Sequence, residues 1–192
     1  EKPLPLRARQ ELRAGYAAGI TFMDFQVGRI LREVKRLGED NSTIVLFMSD
    51  HGFSLGNHGG FGKRSLSEMD CRVPLILRLP SAHPLATGSP SLAWQDGWVR
   101  RSLAFVELVD VFPTLVDLAG IPASSLEELV PALDGVSLKD DVEHAFQGPM
   151  RHLWSGQRTG SVSQFPRCPQ KVGAKGESKD IFQKPWLGVS AA

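Results

Sequence analysis

The sequence has no apolar run approaching the ~20 residues that cross a bilayer, so no membrane span is predicted. It also has no basic block, because 22 Lys+Arg are balanced by 21 Asp+Glu and the formal net charge is +1. A protein that follows a phosphate backbone needs clustered positive charge, so nucleic acid is not an expected partner. Neither the net charge nor the distribution of apolar residues predicts an oligomeric state.

Cysteine is scarce, and the two cysteines, Cys71 and Cys168, form no CxxC pair. One disulfide, two free thiols or two buried thiols would all give this count, so the redox compartment stays open. The opening residues Glu1-Lys2-Pro3 include no initiator Met and no apolar targeting segment. We expect either that processing has removed a segment or that the chain is a fragment.

The composition that remains is that of a globular protein. The 192 residues are 42% hydrophobic and 22% charged, which excludes a disordered, collagen-like or coiled-coil chain. This length fits one domain of ordinary size or a piece of a larger one.

Hydrophobic periodicity predicts two helices and two strands. Apolar residues at steps of three and four predict a long amphipathic helix over 7–37, and a second helical stripe covers 106–119, with its true start nearer Asp110. Unbroken apolar runs predict a strand over 43–48, buried on both faces, and another over 73–79. We expect a surface loop over 81–97. Beyond residue 123 we expect irregular structure, with short strands possible around 151–154.

Two strands cannot form a sheet that is covered on both faces. We therefore expect an α/β fold whose mixed, mostly parallel sheet, with helices on both faces, takes its missing strands from sequence outside this chain.

Polar groups follow the first strand directly. Asp50 and His51 stand where that strand ends, which in open α/β sheets is the edge where active sites lie. Their oxygen and nitrogen donors suit a divalent cation, although an Asp capping a turn beside a solvated His gives the same pattern. A glycine-rich stretch follows, and Lys63 at its end offers a positive charge to an oxyanion or to solvent.

As an ordered set, these residues resemble the later half of the catalytic domain of sulfatases, in the alkaline-phosphatase-like superfamily. The likeness covers roughly residues 3–170, and residues 163–167 are most similar to the iduronate-2-sulfatase branch. The segments that carry it are Val27-Gly28-Arg29-Ile30-Leu31, Asp50-His51-Gly52, Leu55-Gly56-Asn57-His58-Gly59, Lys63, Arg72-Val73-Pro74-Leu75-Ile76 and Glu107-Leu108-Val109-Asp110. The resemblance implies that residues 1–122 belong to the catalytic domain, and that 123–192 begin a smaller, loop-rich C-terminal subdomain.

The resemblance implies roles for four residues. Asp50 and His51 would be ligands of one Ca²⁺ ion, and Lys63 would bind the sulfate as the catalytic residue of this chain. His58 would contact substrate from the loop, or else it braces the glycine turn. The expected substrate is a sulfated carbohydrate, such as 2-sulfated uronic acid in glycosaminoglycans.

The nucleophile of such an enzyme is not in this sequence. It would be a formylglycine made from Cys or Ser in a Cys-x-Pro-x-Arg motif, and neither Cys71 nor Cys168 stands in one. We therefore expect the isolated chain to be inactive. Two alternatives stay open: a phosphoester hydrolase of the same superfamily, and a non-catalytic binding module derived from a sulfatase.

Asn41-Ser42-Thr43 is a glycosylation sequon, although a plain turn has the same sequence. Together with the resemblance, it leads us to expect a lysosomal or secreted protein.

Overall fold

The computed structural model describes residues 4–63, 65–87, 102, 104–125, 133–147, 160–166 and 185–190. They belong to two compact units, Glu1–His83 and Pro84–Ala192. The sequence-based division into 1–122 and 123–192 concerns domains of a larger protein and stays a prediction.

The first unit contains the long helix and both predicted strands. Helix α1 spans Leu6–Arg36, strand β1 spans Val45–Met48, and strand β4 spans Leu75–Arg78. The last turn of α1 carries Lys35 and Arg36, whose positive charges suit the negative end of the helix dipole. The predicted helix and strands are confirmed, each within about two residues of its expected ends.

Strands β1 and β4 pair antiparallel, with Val45 opposite Arg78 and Met48 opposite Leu75. The β1 side chains are half-buried or exposed rather than buried on both faces, so that expectation is wrong for the described chain. The physical reason is that β1 has one strand neighbour among the described residues, whereas double burial needs covering layers on both sides. Every strand pairing in the described ranges is antiparallel.

A short hairpin and a single helical turn connect β1 to β4. Strand β2 is Ser54–Leu55 and strand β3 is Phe61–Gly62, and they pair antiparallel. Helix α2 spans Glu68–Cys71. These elements lie between the two predicted strands and carry the candidate functional residues.

The second unit contains α-helices and an antiparallel pair of strands. Its elements are α3 at Pro84–Thr87, α4 at Val111–Leu118, α5 at Lys139–Gln147, and the antiparallel strands β5 at Ser161–Pro166 and β6 at Pro185–Ser190. Helix α4 confirms the predicted start near Asp110. The expectation of irregular structure beyond residue 123 is wrong for α5, β5 and β6. These elements are short, and the many Pro, Gly and Ser residues around them obscure their hydrophobic periodicity. Residues 88–97 of the predicted loop and the predicted strands at 151–154 lie outside the described residues.

A fully buried carboxylate at the start of α4 connects two segments of the second unit. Asp110 has no exposed surface, and it accepts hydrogen bonds from the backbone amides of Glu107 at 2.9 Å and Val136 at 2.8 Å. Thr114 extends the link, because its hydroxyl donates to the Asp110 carbonyl and accepts from the Leu138 amide at 2.9 Å. The carboxylate therefore joins the N-terminus of α4 to the segment that leads into α5.

No helix among the described residues is long and apolar enough to cross a bilayer.

We predict that Asp110→Ala destabilises the protein by about 3 kcal/mol, because two backbone amides lose their acceptor. Urea denaturation of wild type and variant measures the difference. Asp117→Ala, an exposed carboxylate on the same helix, is the matched control and is expected to change stability by less than about 0.5 kcal/mol. Equal losses in the two variants would contradict the bracing role of Asp110.

Candidate active site

The candidate site begins where β1 ends. The Ser49 amide donates to the Pro74 carbonyl at 3.3 Å, which continues the pairing between the two strands by one residue. The Ser49 hydroxyl donates to the His51 carbonyl at 2.8 Å and so stabilises the turn out of the strand. The next side chain, Asp50, is 81% exposed. Its carboxylate is therefore accessible at the strand end.

The hairpin returns Lys63 to this carboxylate. Ser54 pairs with Gly62 in the β2–β3 register, so the chain leaves the strand end, turns, and comes back beside its own starting point. The Lys63 Nζ lies 3.3 Å from Asp50 Oδ1, although the two residues are thirteen positions apart in sequence. The structure thus brings together two of the four residues with predicted roles.

The Lys63 ammonium lowers the pKa of Asp50, first through its hydrogen bond and then through its charge. Desolvation of the carboxylate opposes this shift and is the smaller effect, because Asp50 is exposed. Asp50 is consequently held as an anion, which is the form that binds a cation.

His51 is half-buried and has a carbonyl oxygen near each ring nitrogen. Its Nδ1 lies 2.7 Å from the Gly52 oxygen, and its Nε2 lies 3.0 Å from the Ser65 oxygen. A neutral imidazole carries one N–H, so it can donate to only one of these two carbonyls. In that neutral form the other nitrogen would have the lone pair that a metal ligand requires.

A very close backbone approach fixes the turn after His51. The Gly52 amide donates to the Asp70 carbonyl at 2.6 Å, and a Cβ on Gly52 would lie 2.8 Å from that oxygen. Real side-chain carbons do not approach backbone this closely, so the position requires glycine. The strand end is thereby held against α2.

The hairpin is anchored to α1 by two contacts. Arg13 Nε donates to the Leu55 carbonyl at 2.9 Å, and the rings of Tyr16 and Phe53 lie 5.4 Å apart between centroids. Gly56 has φ 111° and lies beneath Arg13, where a Cβ would come within 2.9 Å of the guanidinium. These contacts orient the hairpin that carries Lys63.

His58 stands at the tip of this hairpin, in the turn Asn57–Gly59. It is exposed and has φ 51°, which is rare for a residue with a side chain. The turn is closed by backbone hydrogen bonds, with the Gly60 amide donating to the Asn57 carbonyl at 2.9 Å. Both the substrate contact and the bracing role of His58 stay predictions.

The donor atoms of Asp50 and His51 are of kinds that bind divalent cations. Asp50 offers carboxylate oxygens and His51 one ring nitrogen, whereas Ca²⁺ takes ~6 to 8 ligands. Within the described ranges, no three His, Cys, Asp or Glu side chains are grouped to hold a metal. The two residues would therefore be two ligands of such a site, and the remaining ligands would have to come from other groups.

Comparison with known proteins places the chain in a family. The sulfatase family model matches residues 3–121. The chain belongs to the sulfatase family. The resemblance to sulfatases that the sequence motifs indicated is thereby confirmed. The matched residues include the end of β1, the hairpin and Lys63.

Curated relatives are sulfatases of several kinds. Iduronate 2-sulfatase of Mus musculus is 38% identical over 132 residues, which are 62% of this chain and 24% of that protein. The Homo sapiens protein of the same name is 37% identical over 130 residues, again 62% and 24%. N-acetylglucosamine-6-O-sulfatase of Bacteroides thetaiotaomicron is 34% identical over 140 residues, 73% of this chain and 22% of that protein. The chain spans about a quarter of the length of these relatives.

A solved structure shares the fold. Its protein is bound to its substrate, D-glucosamine-2-N,6-O-disulfate, and superposes with a TM-score of 0.55 at 24% identity. The match covers 90% of this chain and 28% of that one. The predicted α/β fold class, as a fragment of a sulfatase fold, is confirmed.

Sequence reasoning missed three residues that shape the site: Arg13, Ser65 and Asp70. Arg13 acts on a backbone carbonyl 42 positions away, and periodicity gives no signal for such a contact. The sequence between Lys63 and β4 is rich in polar residues, among them Ser65, Ser67 and Asp70. This polar stretch is the sequence feature that could have indicated their contribution to the site.

We predict that Lys63→Met raises the pKa of Asp50 toward its ordinary value, because the hydrogen bond and the positive charge are both lost. Carboxyl ¹³C NMR over a pH series measures the shift, and Lys35→Met, on exposed α1, is the control. A folded pKa below the unfolded value stabilises the protein above the ordinary carboxyl pKa, and this contribution disappears as the pH falls through the lowered value. An unchanged Asp50 titration in Lys63→Met would contradict the pairing.

We predict that Gly52→Ala destabilises the protein by about 1 to 3 kcal/mol, because the added methyl collides with the Asp70 backbone. Chemical denaturation measures the loss. Gly19→Ala on α1 is the control, since its Cβ would meet nothing within 4 Å. That variant is expected to be neutral or slightly stabilising.

Proposed function

We propose that these residues form the C-terminal portion of the catalytic domain of a sulfuric ester hydrolase that acts on sulfated carbohydrate. Asp50 and His51 contribute two ligands to one Ca²⁺ ion. Lys63 binds the sulfate and is the catalytic residue of this part of the domain. His58 contributes to substrate binding from the tip of the hairpin.

One observation carries the proposal: the amine of Lys63 lies 3.3 Å from the Asp50 carboxylate at the end of β1, in a chain of the sulfatase family. An ammonium and a cation-binding carboxylate at one point can neutralise both the oxygens of a sulfate and the metal beside it. Both side chains are half-exposed or more, so a ligand can reach them from solvent.

The proposed roles of the metal ion and of Lys63 follow from their positive charges. A bound Ca²⁺ would polarise the sulfate ester by withdrawing charge from its oxygens. Lys63 donates hydrogen bonds to those oxygens, and such contacts are worth ~1.5 to 3 kcal/mol when a charged group makes them. The formylglycine nucleophile belongs to the part of a sulfatase that this chain lacks, so the isolated chain is proposed to be inactive.

The substrate is proposed by similarity. The iduronate 2-sulfatases named above support a 2-sulfated uronic acid of a glycosaminoglycan, and the solved structure with its disulfated glucosamine supports a sulfated sugar more broadly. The exposed sequon at Asn41 supports a lysosomal or secreted location. Its side-chain oxygen accepts a hydrogen bond from the Ser81 hydroxyl at 2.7 Å.

In a complete sulfatase that contains these residues, we predict that Asp50→Ala removes most of the bound Ca²⁺, because an anionic ligand is lost. Elemental analysis of the purified protein measures the metal, with Asp117→Ala as the control for loss of a surface carboxylate. Unchanged Ca²⁺ content in Asp50→Ala would show that Asp50 is not a ligand.

The isolated chain provides a second check on the same proposal. It should not turn over an aryl sulfate, since it has no formylglycine. Turnover that persists after Lys63→Ala would refute both the missing nucleophile and the role of the lysine.

A further inference from the structure

We propose that Asn41 is a modification site, whose side-chain nitrogen Nδ2 receives an N-linked glycan when the chain passes through a eukaryotic secretory pathway. The motif is complete, because Asn41-Ser42-Thr43 ends in a hydroxyl residue and has no proline in its middle position. Use of the site in the protein's own cells rests on the lysosomal or secreted location proposed above. The suitability of Asn41 as the attachment point rests on its surroundings in the fold.

Asn41 lies in an exposed turn between α1 and β1. The Ser42 amide donates to the Glu39 carbonyl at 3.1 Å, which closes a four-residue turn whose third residue is Asn41. The Ser42 hydroxyl adds a hydrogen bond to Glu39 Oε2 at 2.8 Å. The first and last residues therefore hold the turn closed, and the Asn41 side chain takes no part in closing it.

One contact orients the Asn41 side chain. Ser81 follows β4, and its hydroxyl donates to Asn41 Oδ1 at 2.7 Å. The antiparallel pairing, with Val45 opposite Arg78, brings the residues after β4 beside the turn before β1. Among the described residues, Asn41 Nδ2 makes no hydrogen bond. The contact thus engages the oxygen of the amide, whereas a glycan is attached to the nitrogen.

The transfer reaction preserves this contact. Its co-substrate is a lipid-linked oligosaccharide pyrophosphate of the secretory pathway. A bond forms between Asn41 Nδ2 and the anomeric carbon of the first sugar, while the bond from that carbon to the pyrophosphate oxygen breaks. The lipid pyrophosphate leaves, and Nδ2 loses one proton. The product is still an amide, so its Oδ1 can accept the Ser81 hydroxyl as before.

The glycan would stand at the end of β1 that is remote from the candidate active site. Asn41 precedes this strand and Asp50 follows it, and the four residues between Val45 and Met48 each advance the chain by ~3.3 Å. A glycan is bulky and hydrated and needs a surface position. At this turn it has one, and it leaves the contact between Asp50 and Lys63 accessible.

The test adds a cleavable secretory signal to the 192-residue chain and expresses the fusion in cultured animal cells. We expect one glycan, which peptide N-glycosidase removes while converting the linked asparagine to aspartate. Mass spectrometry of the digested chain is expected to find this conversion at position 41. Asn57, the other asparagine of the sequence, stands in no sequon and is expected to be unchanged.

Four variants test whether the motif itself directs the modification. Asn41→Gln and Thr43→Ala are each expected to lose the glycan, because one displaces the acceptor nitrogen and the other removes the hydroxyl that the motif requires. Thr43→Ser keeps a hydroxyl and is expected to keep the glycan. Ser42→Ala changes the middle position, where the motif has no such requirement, and is the matched control that stays glycosylated.

A chain that has entered the secretory pathway and has no glycan on Asn41 overturns the proposal. Cleavage of the added signal shows that entry has occurred. Because the glycan is transferred to the chain as it enters, before folding, a variant that folds poorly still gives a result in the endoplasmic reticulum fraction. A glycan that persists in both Asn41→Gln and Thr43→Ala would also contradict the assignment.

The modification and the proposed location fail separately. The added signal directs the chain, so an unmodified Asn41 in this experiment contradicts the acceptor role and leaves the proposed location and activity untouched. Recovery of the protein from the cytosol of its own cells would contradict the location and leave the acceptor role of Asn41 intact.

Discussion

The contact between the Lys63 amine and the Asp50 carboxylate defines the candidate site of the first unit. Lys63 reaches Asp50 because a two-strand hairpin doubles the chain back on the strand end, and the hairpin keeps its direction because Arg13 and Tyr16 of α1 hold it. An exposed ion pair contributes little stability by itself, since water screens the charges and the side chains lose freedom. Its importance lies in placing a cation and an anion at one accessible point.

Buried carboxylates do the bracing in both units. Asp110 accepts two backbone amides and joins α4 to the segment before α5, and Asp70 accepts the Ser65 hydroxyl and joins α2 to the strand end. In each case the carboxylate accepts hydrogen bonds from polar groups that would otherwise lack a partner in the folded chain. Asp50, in contrast, is exposed, so its carboxylate remains accessible to a ligand.

Apolar packing within the described residues is sparse. The buried hydrophobic residues are Leu79, Val116 and Leu118, and α1 has no buried residue. Large apolar side chains along α1, such as Ile20 and Phe22, are exposed. This agrees with a chain that spans about a quarter of its curated relatives, because the apolar face of an amphipathic helix is normally covered by neighbouring elements.

The sequence by itself determined α1, β1, β4 and the start of α4, because their periodicity is long or their apolar runs unbroken, and it singled out Asp50, His51 and Lys63 through their order along the chain. It did not reveal α5, whose nine residues give a weak pattern, or the antiparallel pairing of β1 with β4. Only the tertiary structure decided that Lys63 meets Asp50 and that Asp70 is buried behind Ser65. The local sequence pattern indicates the secondary structure of neighbouring residues. These contacts depend instead on how the hairpin and the helical turn of α2 fold back toward the end of β1.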